Sequence, residues 1–138
     1  MNKNDFLYRY IHKRMIGVLA TFGSNGYPES AVMEFGDTKN LELIFDTLST
    51  ARKYKNLRNN PKVAFVIGWE DWTTVQYEGI AMELHGKELA EYKKIMFAKN
   101  PDFQKWEKLA DMTYFKVTPT WIRYSAMGVT PWEITFSK

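Results

Sequence analysis

The chain contains no cysteine. Disulfides, thiolate metal sites, iron–sulfur clusters and a cysteine nucleophile are therefore excluded. Histidine is nearly absent too. His12 and His85 are the only two, too few for a histidine-rich metal cage or a bis-histidine heme, although a single-ligand heme stays open. Neither is placed to build a Ser-His-Asp triad. No apolar run approaches the ~18 residues of a membrane-crossing helix. The stretch from Met1 to Tyr10 carries charges and aromatics rather than an apolar signal core. A strong charge bias is also missing: 19 Lys and Arg face 16 Asp and Glu, a net +3. That argues against nucleic acid, whose binders carry larger and more clustered basic footprints, and leaves room for a small anionic ligand. The expectation is a soluble, cytoplasmic protein with no membrane segment.

What the chain does have is aromatic residues. Five Trp, eight Tyr and nine Phe make up 16% of 138 residues. They suggest a β-rich core, a stacking pocket or a buried oligomer surface. The length suits one domain, residues 1–138, with a core of its own.

Along the chain, Asp5–Arg14 reads as a helix, with Phe6, Leu7, Tyr10 and Ile11 at helical spacing. Ile16–Phe22 is a strand ended by Gly23-Ser24-Asn25-Gly26, a hairpin signal. Glu29–Phe35 and Leu41–Asp46 read as strands, Ala51–Asn60 as a helix, and Lys62–Trp69 and Thr73–His85 as strands. Gly79 inside the last suggests a bulge or a close backbone approach. Lys87–Lys99 and Pro101–Leu109 read as helices. Three β-like pieces follow, Thr113–Val117, Trp121–Met127 and Trp132–Phe136. Short connections favour antiparallel pairing, and this many strands in a small domain favour a closed or split barrel.

The segment from Asp46 to Leu57 carries the chemistry. Thr47, Ser49 and Thr50 lie in a loop, and Arg52, Lys53 and Lys55 open the helix that follows. A helix N-terminus already bears partial positive charge and unpartnered amides, so cations there are misplaced for stability. A phosphate would resolve both, taking amide and hydroxyl bonds and a charge-assisted fork from Arg52. The bland alternative is that Ser49 or Thr50 caps the helix and the cations are merely solvated.

Several motifs now fall in order: Gly17-Val18-Leu19-Ala20-Thr21, Gly26-Tyr27-Pro28, Ser30–Phe35, Phe45-Asp46-Thr47, Ala51-Arg52-Lys53, Asn56–Val63 and Val75–Ala81. In order and spacing they resemble the FMN-binding split-barrel proteins related to pyridoxamine 5′-phosphate oxidase, in particular general stress protein-like members rather than the vitamin B6 oxidase. The resemblance runs from Gly17 to about Phe136. It implies a six- or seven-stranded, mainly antiparallel split β-barrel with Greek-key features and flanking helices. It also implies a homodimer with FMN at the subunit interface. By resemblance, Ser30, Ala31, Val32 and Met33 lie along the isoalloxazine. Thr47, Arg52 and Lys53 hold the phosphate, with Ser49 and Thr50 adding hydroxyl bonds. Thr74 lies near the ring, and Trp121 or Trp132 closes the site from the second subunit.

The departures narrow the activity. The oxidase carries an arginine and a lysine where an ungapped count places Ala31 and Gly36. Ala51 replaces a serine, and Arg123-Tyr124-Ser125 lacks the histidine of the oxidase's substrate motif. The expectation is an FMN-dependent oxidoreductase acting on an unknown small molecule, with a nicotinamide nucleotide as a candidate reductant. The alternatives are a non-catalytic flavin or deazaflavin carrier or sensor, and a nucleic-acid-binding barrel. No catalytic residue is assigned. Glu29, Glu34, Asp46 and Glu78 lie near the expected pocket, but their spacing makes no acid–base pair. His12 and His85 read as structural.

Overall fold

In Ile16–Phe22 (β1), buried Gly17, Leu19 and Thr21 alternate with outward Val18 and Ala20. This is the period-two pattern of a strand with one face in a core. The structure, a computed structural model, describes residues 1–137. Helix α1 (Lys3–His12) precedes β1, and β2 (Pro28–Glu34), β3 (Gly36–Asp37) and β4 (Leu43–Leu48) follow. Next come α2 (Arg52–Asn59), β5 (Lys62–Ile67), β6 (Thr73–Glu83), α3 (Gly86–Lys99), β7 (Met112–Ala126) and β8 (Val129–Thr135). Short 3-10 turns cover Glu70–Trp72 and Pro101–Trp106.

The strands form one antiparallel sheet in the order β2-β1-β5-β6-β7-β4-β3, with β8 added on β7. The two ends of that order are one piece of chain. Only Phe35, fully buried, separates β2 from β3. The strand leaves β1 at Glu34 and joins β4 at Gly36, so the sheet curls into a split barrel. The connection carrying α2 crosses from β4 to β5 and gives the Greek-key order.

The inner faces build the main core around Leu19, Phe45, Phe65, Val75, Tyr77 and Ile122. Helix α1 closes one side through Leu7, Tyr10 and Ile11. A second core of Ile44, Leu84, Met96, Phe103 and Tyr114 lies beneath α3 and the 101–106 turn.

Three local expectations change. Thr113–Val117 and Trp121–Met127 are not separate pieces, because β7 runs unbroken from Met112 to Ala126. Pro119, between those two pieces, sits opposite Gly79 where the β6–β7 register shifts. A bulge tolerates a residue with no N–H. A Cβ on Gly79 would come within 2.6 Å of the Thr118 carbonyl, so the strands approach only because that residue is glycine. The 101–109 stretch is a 3-10 turn ending at Trp106 rather than a helix. Finally, Leu41 precedes β4 in a turn with φ 66°, and its side chain is nonetheless buried.

Candidate functional site

Helix α2 begins without a cap. Ala51 occupies the N-cap position, no side chain bonds the first-turn amides, and no acid lies in that turn. Ser49 and Thr50 are exposed and do not close the helix end. The loop that delivers α2 is held by its backbone. The Ser49 amide donates to the Asp111 carbonyl at 2.8 Å, and the Ala51 amide donates to that of Leu48 at 3.0 Å. Thr47 is buried at the end of β4, and its carbonyl accepts from the Thr113 hydroxyl.

The uncapped end faces β1 and β2 across a cleft of about 120 Å3. Arg52 and Lys53 line one wall, Glu29, Ser30 and Ala31 of β2 another, and Leu19 and Thr21 of β1 the floor. β2 pairs only with β1 along this stretch, so half of its backbone N–H and C=O groups point away from the ladder. Positive charge, a helix N-terminus and a free strand edge therefore meet in one place, an arrangement suited to an anionic group.

Of the residues expected at a cofactor site, Ser30, Ala31, Arg52 and Lys53 are brought together here, with Ser49 and Thr50 on the loop leading to Arg52. Thr47, expected in that loop, is instead buried within strand β4, paired with Thr113. Val32 is 63% exposed on the outer face, and Met33 packs against the main core. The others lie elsewhere in the chain. Thr74 sits at the start of β6 opposite Ser125. Trp121 is on β7 between Glu78 and Thr135. The Trp132 ring lies against Phe6, Tyr124 and the Lys3 ammonium, beneath α1.

Sequence reasoning missed a polar chain beneath the cleft. Asn56, 3% exposed, donates through Nδ2 to Thr21 Oγ1 at 3.0 Å and to Glu29 Oε1 at 2.7 Å. The available signal was helical spacing, since Arg52 and Asn56 are four apart and share a face.

The acids considered from sequence disperse. Glu34 pairs with Lys105 at 3.0 Å, and Glu78 is exposed. Asp46 points away from the cleft toward the second core. Burial, and then the charge of Glu34, push its carboxyl up to about 6. His12 Nδ1 lies 2.8 Å from Asp37 Oδ1, and His85 is exposed at the start of α3. Among the described residues no group of three or more His, Cys, Asp or Glu could hold a metal, and no helix is long and apolar enough to cross a membrane.

Comparison with known proteins bears on the fold and the family. The chain aligns at TM-score 0.83 with a heme binding protein from Mycobacterium smegmatis, at 17% identity over 98% of this chain and 59% of that one. It thus spans well under two-thirds of that protein's length. General Stress Protein 26 from Bacillus anthracis aligns at 0.77 and 23% identity, over 99% and 100% of the two chains. The heme storage protein HutZ from Vibrio cholerae aligns at 0.71 and 18% identity, over 86% and 91%. At these identities the likeness is one of fold. No curated protein sequence matches the chain. The family model described as pyridoxamine 5′-phosphate oxidase matches residues 5–126, and the chain belongs to that family.

Proposed function

We propose that the protein binds FMN, with its phosphate at the α2 N-terminus, and serves as an oxidoreductase toward a small molecule. The observation that carries this reading is the uncapped helix end beside Arg52 and Lys53, facing the free edge of β2. In it Arg52, Lys53 and the first-turn amides hold the phosphate, with hydroxyls from Thr47, Ser49 and Thr50. Ser30 to Met33 orient the ring through their backbone. A flavin supplies hydride or electron transfer. The chain's own share is binding, orientation and exclusion of water.

A cleft of about 120 Å3 falls short of the roughly 300–1,000 Å3 that a ligand of this size fills. A second wall is needed, and a second copy of the chain is the natural source. The outer face of β1, β2 and β5 supports that assembly. Val18 pairs with both Val32 and Val66, and Ile16, Phe22, Val32 and Val66 are all substantially exposed. Exposed apolar patches of this kind mark interfaces. Trp121 lies on this outer face, beside Glu78, and is better placed than Trp132 to act in a second subunit.

A carrier that binds its cofactor without turnover is the second reading, favoured by the heme-binding and heme-storage proteins among the fold's relatives. Against heme itself, no histidine lines the cleft. The test is an FMN titration followed by absorption and sedimentation. Retained flavin absorbance that bleaches with a reductant, on a dimer, supports the proposal. A protein that holds no flavin, or holds it as a monomer, overturns the site as assigned. Arg52→Ala should weaken FMN binding about 10- to 100-fold through loss of charge-assisted bonds.

A further inference from the structure

The Arg52 guanidinium is 78% exposed, yet it is not free. Its Nε lies 3.2 Å from Glu29 Oε1, and the Glu29 side chain is only 14% exposed. The same oxygen accepts from Asn56 Nδ2 at 2.7 Å, and that nitrogen also reaches Thr21 Oγ1 at 3.0 Å. Thr21 and Asn56 are both buried. A polar line therefore runs from the barrel wall, through Asn56 and Glu29, to an exposed cation. The carboxylate is confined on its other side as well, since a Cβ on Gly23 would lie 2.7 Å from Glu29 Oε2. Glu29 pairs with Arg52 at Nε, and Arg52 itself lines the cleft, so its two terminal nitrogens remain to grip a phosphate or carboxylate side by side.

A carboxylate beside an anion site looks self-defeating, because it repels the ligand. The geometry points to a different role: Glu29, anchored by Asn56, is a positioning residue that fixes the Arg52 guanidinium for an incoming phosphate monoester. A long exposed arginine otherwise loses its side-chain freedom only when it binds, at the expense of affinity. Holding its Nε in advance reduces that loss. This role rests on the phosphate site proposed above and adds the residue that orders it.

The test is calorimetric titration of the full chain with FMN and, separately, with inorganic phosphate. Glu29→Gln keeps an oxygen for both Asn56 and Arg52, and should bind both probes within about threefold of the wild type. Glu29→Ala should weaken both about tenfold, and should add nothing in an Arg52→Ala background, because its effect passes through Arg52. Thermal melts of each variant confirm that the fold is intact. Tighter binding in both Glu29 variants would mean that the carboxylate merely competes with the ligand, and would overturn the role. So would equal, additive losses in Glu29→Ala and Arg52→Ala. If the wild type binds neither probe, the phosphate site itself fails and takes the positioning role with it, an outcome distinct from a site that binds but ignores Glu29.

Discussion

Two buried aspartates meet opposite circumstances. Asp37, at the junction of α1, β3 and α3, is fully enclosed and fully partnered. Lys99 Nζ donates to its Oδ2 at 2.6 Å, His12 Nδ1 sits 2.8 Å from its Oδ1, and Lys99 also donates to the Arg14 carbonyl. Both side chains of the Asp37–Lys99 pair are 2% exposed or less. Burial pulls the Lys99 ammonium below its ordinary value, while Asp37 works to restore it. Asp46, on β4 beneath the 101–106 turn, has no such partner. Its Oδ2 is buried and unbonded, as is the hydroxyl of Tyr114, its neighbour across the β4–β7 ladder. Burial, and then the charge of Asp46, raise the Tyr114 hydroxyl to about 12. The lesson is that burial alone does not set the cost of a charge. The partners that burial leaves it do so.

The comparison breaks most severely at Lys99. Lys99→Met leaves buried Asp37 with His12 as its remaining side-chain partner and should cost about 3–5 kcal/mol, read as a lowered denaturation midpoint. An unchanged midpoint would show the pair to be idle.

Asp46→Asn should act in the other direction. The folded pKa of Asp46 lies above its ordinary value of 3.8, at about 6. Protonated Asp46 is therefore favoured by the fold. The stability linked to it is fully present below about pH 4 and is lost as pH rises through about 6. Asp46→Asn should flatten this slope and be more stable than wild type at pH 7, by up to about 3 kcal/mol for a shift of this size. Urea melts of both proteins at pH 4.5 and pH 7 check the sign, and an advantage of Asp46→Asn over the wild type that fails to grow across that interval refutes it.

The smallest effect is expected at Tyr114. Tyr114→Phe removes a hydroxyl that bonds to nothing, so the change should stay within about 1 kcal/mol and favour the variant. A larger loss would reveal a partner for that oxygen.

The contrast also explains what could be read from sequence. β1 and the hairpin after it were legible because alternation and a Gly-rich turn are local signals. So was the run of hydroxyls and cations at the start of α2, since its meaning depends only on neighbouring residues. Asp37 and Lys99 are far apart in the chain, and nothing around either announces the other. The line from Thr21 through Asn56 to Glu29 joins three separate elements for the same reason. The continuity of β7 between Thr113–Val117 and Trp121–Met127 was hidden because the place of Pro119 in it depends on Gly79 in another strand. Trp121 and Trp132 looked interchangeable until the register put them on opposite faces of the sheet.

The way the barrel closes bears on self-association. β2 continues through Phe35 into β3 but pairs only with β1, and the appended β8, which pairs only with β7, presents a second outer edge. That edge carries Pro131, which has no amide to offer, and the exposed carboxylate of Glu133. An incoming strand would find a missing donor beside a charge, so the last strand of the sheet is a poor template for fibril growth.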